Sequence, residues 1–105
     1  MFTGILPEHI GSIDSLKYLY LDNNQLSGEI PQSMGDLKVL RWLSIYNNEL
    51  SGQIPENICN LYENDLGSEI SFRALFHHND LCPNTSGYWP PCIPASHLGP
   101  QFCSP

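Results

Sequence analysis

A chain of 105 residues with four Lys/Arg against eleven Asp/Glu carries a formal net charge of −7. Its basic residues, Lys17, Lys38, Arg41 and Arg73, form no run along the chain, which makes it a poor candidate for binding nucleic acid or an anionic membrane. No apolar run reaches the ~18 residues that a bilayer span needs, and residues 1–20 have neither the basic start nor the apolar core of a signal peptide.

From the N-terminus, Phe2-Thr3-Gly4-Ile5-Leu6-Pro7 is answered 24 positions later by Leu26-Ser27-Gly28-Glu29-Ile30-Pro31, and after 24 more by Leu50-Ser51-Gly52-Gln53-Ile54-Pro55. Between these blocks Leu16, Leu19, Leu21, Asn24 and Leu26 recur as Leu40, Leu43, Ile45, Asn48 and Leu50. A fixed period of this length marks a solenoid, in which each unit buries its apolar face only against its neighbours. Such a stack exposes one long face of equivalent positions, and binding is the function that suits it. The chain starts inside a repeat at Phe2, so further repeats and a signal peptide are expected upstream.

Within each repeat the Leu-x-Leu stretch predicts a short strand. Side chains alternate along a strand, so Leu19, Leu21, Leu43 and Ile45 face inward. Tyr18, Tyr20 and Asp22, then Trp42, Ser44 and Tyr46, face outward. Asn24 and Asn48 stand where the chain leaves the strand, and a carboxamide can satisfy the backbone groups stranded by that turn. Gly28 and Gly52 permit backbone angles closed to other residues, and Pro31 and Pro55 fix φ after an apolar residue. Ile30, Met34, Leu37, Ile54, Ile58 and Leu61 supply the convex side of the core, with short helical or 3₁₀ turns expected there.

After Leu61 the period breaks. Asn79 lies 31 residues beyond Asn48, an excess of seven over 24, which predicts a loop inserted over Tyr62–Ser71. Phe72–His77 is the expected third strand, with Ala74 and Phe76 inward and Arg73, Leu75 and His77 outward. Asn79 is then the third asparagine rung. Four cysteines, Cys59, Cys82, Cys92 and Cys103, gather at this end and read as a disulfide-stapled cap formed in an oxidising compartment. A zinc site with His77 and His78 is the competing reading. It is the weaker one, because zinc favours close cysteine pairs and Cys82 and Cys92 have nine residues between them. Asn84-Thr85-Ser86 matches the N-glycosylation triplet.

The repeat resembles the plant-type leucine-rich repeat, as found in receptor-like kinase ectodomains, receptor-like proteins and polygalacturonase-inhibiting proteins. It is also similar to secreted microbial leucine-rich proteins whose arrays end in Ile-Cys-Asn-Leu, here Ile58-Cys59-Asn60-Leu61, and a cysteine cap. The resemblance implies a leucine-rich repeat solenoid of the α/β class, with short parallel strands, an irregular or 3₁₀ convex side, and about three 24-residue repeats. It divides the chain into repeats over 2–61, an irregular last repeat with an inserted loop over 62–81, and a Cys/Pro-rich cap over 82–105. It further implies an extracellular or cell-surface recognition module without catalysis of its own and without a cofactor.

The candidate binding face has three columns: Tyr18, Trp42, Arg73; Tyr20, Ser44, Leu75; and Asp22, Tyr46, His77. Exposed Tyr, Trp and Arg are the types enriched at binding hot spots, although neighbouring aromatic residues on a sheet also cover one another. A protein or peptide is the expected ligand, with a glycan as a variant. A structural role as the end of a longer array is the alternative. No catalytic motif built on the four histidines is present. Four cysteines allow three pairings. Cys92 falls near one repeat beyond Cys59, which favours Cys59–Cys92 with Cys82–Cys103 but does not exclude the other two.

Overall fold

The computed structural model describes residues 2–63 and 72–103. Leucine or alanine flanked by outward residues forms a strand at β2 (Tyr18–Tyr20), β4 (Trp42–Ser44) and β6 (Arg73–Leu75). These three make one parallel sheet in the order β2-β4-β6, with Tyr18 beside Trp42 and Trp42 beside Arg73. The partners lie 24 and 31 residues apart, the spacings of Asn24 to Asn48 and of Asn48 to Asn79, so register follows the repeat even where the period breaks. Leu43, Ile45, Ala74 and Phe76 are fully buried beneath this sheet.

A second parallel sheet was not foreseen. It has the order β1-β3-β5-β7 and uses Thr3–Ile5, Gln25–Gly28, Glu49–Gln53 and Asp80–Cys82. The stretch after each asparagine therefore runs extended before the chain reaches the convex side, and Gly28 and Gly52 close it at φ 78° and 75°. Register here differs from the first sheet. Thr3 pairs with Gln25 and Ser27 with Glu49, each 22 residues on, while Ser51 pairs with Asp80, 29 on. Every step is two residues shorter than the repeat. A shift of two preserves which face each side chain takes, so Leu26, Leu50 and Leu81 all remain in the core.

The convex side carries 3₁₀ turns at Ile10–Ser12, Gln32–Asp36 and Glu56–Ile58, as expected. Tiers approach closely here. A Cβ on Gly11 would run into the carbonyl of Ser33, and one on Gly35 into that of Asn57. The next residue in this column, 24 on, is Cys59. No further 3₁₀ tier covers it among the described residues, and its sulfur bonds to Cys92 instead.

Cys59 begins helix α1 (Cys59–Glu63), which corrects the expected loop at its near end. Tyr62 is a half-buried helical residue that packs edge-on against Phe72 at 4.9 Å. Residues 64–71 of the proposed insertion lie outside the described part of the chain.

The asparagine ladder forms as expected. Asn48 Nδ2 donates to the carbonyls of Leu21 and Ile45, and its Oδ1 accepts from the N–H of Leu26. Asn79 repeats this with Ile45, Phe76 and Leu50. Gln101 then does the same from the cap. Its Nε2 donates to Phe76 and Leu98 at 2.7 and 3.0 Å, and its Oε1 accepts from Leu81 at 3.2 Å. Phe76 and His78 N–H groups donate to the carbonyls of His97 and Pro100. In the preceding tier Ile45 and Asn47 donate likewise to Leu75 and His77. The segment that includes helix α2 (Ala95–Leu98) thus closes the sheet edge by imitating one more repeat, which removes the unpaired groups an open edge exposes. The Cys59–Cys92 and Cys82–Cys103 disulfides hold it there.

Candidate functional face

The outward positions of β2, β4 and β6 stand side by side because the register follows the repeat. Tyr18 and Tyr20 are 57% and 63% exposed. Tyr20 lies against Trp42 with ring centroids 6.3 Å apart. Arg73 is exposed and Leu75 half-buried beside it. Ser44 occupies its column but is only 2% exposed, so it forms the floor of the face rather than a contact surface. Strand alternation assigns a direction but does not by itself set accessibility.

The third column lies just past the strands. Tyr46 and His77 stack at 4.5 Å with planes 12° apart. Asp22 holds the side-chain amide of Asn23 at 3.1 Å. The backbone then takes a left-handed turn at Asn23, Asn47 and His78, with φ of 58°, 55° and 57°. Asn47 Nδ2 donates to Asn23 Oδ1 at 2.7 Å, a short surface ladder beside the buried one. At the last tier histidine replaces asparagine, and the turn brings the His77 and His78 rings to 5.2 Å, edge to face. Phe102 from the cap, 61% exposed, adds a ring 6.0 Å from His78. Sequence reasoning missed Phe102, since only the cap's path places it at the end of the aromatic row.

Polar chemistry on this face is limited. Trp42 Nε1 is buried and has no hydrogen-bond partner among the described residues. Burial, with His78 close by, holds the His77 imidazole below its ordinary pKa, so the ring is neutral at neutral pH. Across the strand edge, Tyr62 OH meets His97 Nδ1 at 2.9 Å. Burial pushes the Tyr62 phenol well up, and burial together with Arg73 lowers His97. A groove of about 380 Å³ between this pair, Arg73, Leu75 and Pro94 adjoins the face. All four cysteines are consumed in disulfides, so their thiolates are not available to the zinc reading. No described helix is long and apolar enough to cross a membrane.

Comparison with known proteins bears on the fold. Residues 15–37 and 39–61 match the family model described as Leucine Rich Repeat. No curated protein matches the chain. Among solved structures, a chain of the BIR3–SERK2 complex from Arabidopsis thaliana is 28% identical with a TM-score of 0.75, over 92% of this chain and 48% of that one. The ectodomain of the Arabidopsis receptor kinase HAESA, in complex with an IDA peptide hormone ligand, is 34% identical with a TM-score of 0.65, over 76% and 12%. The PEPR1–AtPEP1 structure is 46% identical with a TM-score of 0.65, over 77% and 10%. The chain therefore spans about half or less of the solved chains it resembles.

Proposed function

We propose that this chain, a leucine-rich repeat solenoid of the plant-receptor type, is a non-catalytic recognition module. It binds a protein or peptide through the β2-β4-β6 face, at the cell surface or after secretion. One observation carries the reading: Tyr18, Tyr20, Trp42, Tyr46, Arg73 and His77 share one face in register, and the cap adds Phe102 to it. Rigid aromatic rings offer large contact area at small entropic cost, and Arg73 supplies charge. Two disulfides suit an oxidising compartment. Solved relatives include a receptor kinase ectodomain in complex with a peptide hormone ligand, which supports the ligand class.

The test is affinity capture from extracellular extract with the oxidised chain, against a Tyr18→Ala/Tyr20→Ala/Tyr46→Ala variant. Tyr18 and Tyr20 are preferred to Trp42, whose ring is partly buried and whose removal would also cost packing. A partner retained by the parent and lost by the variant at unchanged melting temperature supports the reading. Equal capture by both assigns the face to packing alone.

A further inference from the structure

The chain has nine asparagines, and Asn84 alone heads an Asn-x-Ser/Thr triplet. It is also used differently from the ladder asparagines. Asn24, Asn48 and Asn79 spend their side-chain nitrogens on buried or part-buried carbonyls. Asn84 engages only its oxygen, which accepts the N–H groups of Ser86 and Tyr88 at 3.0 Å each. Its own N–H donates to the Tyr88 carbonyl, and Gly87 N–H returns to the Asn84 carbonyl, both at 2.8 Å. The result is a closed turn whose carboxamide nitrogen has no partner within the described protein.

The rest of the triplet is open. Thr85, Ser86, Gly87 and Tyr88 are all exposed. The turn follows β7 and lies on the flank with Gln53, Glu56, Trp89 and Pro91, around a cleft of about 110 Å³. None of the β2-β4-β6 face residues lines that cleft. A bulky group at Asn84 therefore projects from a surface that neither the core nor the candidate binding face needs.

We propose that Asn84 carries an N-linked oligosaccharide. The sugar comes from an isoprenoid-diphosphate donor through a secretory-pathway transferase. The bond from sugar C1 to the diphosphate oxygen breaks, the Nδ2–C1 bond forms, one amide proton is lost, and the lipid diphosphate leaves. No oxidation or reduction is involved. The glycan covers the cleft flank and leaves the aromatic face clear.

The test is expression of the full chain behind a secretion signal in plant cells, with peptide mass mapping of both the retained and the secreted fractions. The peptide containing Asn84 is expected to carry a hexose–N-acetylhexosamine mass that a plant-competent peptide N-glycosidase removes, leaving aspartate at this site. Ser86→Ala, which keeps the turn's backbone acceptor Asn84, is expected to abolish the modification, and Ser86→Thr to retain it. Unmodified Asn84 in disulfide-bonded chain from either fraction overturns the proposal. So does a glycan that persists in Ser86→Ala. The proposal presumes entry to the secretory route but not a ligand. Capture assays on Ser86→Ala report the face separately, so failure here and failure of the recognition reading are told apart.

Discussion

The first and last tiers of the solenoid place similar residues at equivalent positions and bury them very differently. Ile13 is 48% exposed, whereas Leu37 and Leu61, its equivalents in the next two tiers, are 1% exposed. Leu19 and Leu21 are half-buried, while Ala74 and Phe76 see no solvent. Asn24 joins the preceding tier only through its Oδ1, which accepts from Phe2 N–H at an exposed position, while its Nδ2 reaches carbonyls of its own turn; Asn48 and Asn79 Nδ2 each bridge two tiers as well. A repeat position thus has no fixed energetic value. Its worth comes from what stacks on either side, as expected where stability is a sum over neighbouring units.

The largest effect that would test this contrast is at Phe76. Phe76→Ala is expected to cost about 3–5 kcal/mol, and Leu21→Ala, its equivalent two tiers back, less than half as much in urea unfolding. Equal losses would mean that burial in the last tier adds nothing. Opening the cap comes next. The Cys59–Cys92 bond closes a loop of 33 residues, so Cys59→Ser with Cys92→Ser is expected to remove ~3–4 kcal/mol on the loop-entropy account. The melting temperature should drop accordingly, and hydrogen exchange should rise first at Phe76 and His78, whose amides donate to the cap.

A smaller difference is expected along the ladder. Asn79→Leu strands buried groups in two tiers at about 1–3 kcal/mol each, and Asn24→Leu is expected to be clearly milder. If calorimetry gave the two the same cost, the ladder would act turn by turn and not between tiers. The smallest effect is with pH. His97 has its folded pKa lowered by burial and Arg73, so the unfolded chain takes up the proton first on acidification. Stability is therefore full above the ordinary histidine pKa of about 6.5 and declines as pH falls below it. His77 acts in the same direction. Melting temperatures between neutral and mildly acidic pH should show this fall, flatter in His97→Gln.

The first sheet was legible because its register follows the repeat, so counting along the sequence also counts across the strands. The second sheet was hidden by its two-residue stagger and by Ser-Gly-x composition, which reads as turn. The stagger becomes visible only in pairs such as Leu26 N–H with Asn48 Oδ1, 22 residues apart. Gln101 was hidden because it is not asparagine and no Leu-x-Leu precedes it. Its one signal is Leu98, three residues back, as Phe76 stands to Asn79. The disulfide pairing favoured by position is the one that forms. On the aromatic face, alternation placed each side chain outward but carried no signal that Ser44 is buried there.

The column of Gly11, Gly35 and Cys59 makes the stack extensible by copying. Each glycine leaves the room in which the following tier's carbonyl sits, and cysteine needs that room empty. A duplicated unit placed before residue 59 would find a glycine-compatible neighbour on both sides, and the closing piece would need no redesign. Writing glycine at position 59 instead would remove the staple to Cys92. On the convex side, one side chain thus distinguishes a tier that receives another from the tier stapled to the cap.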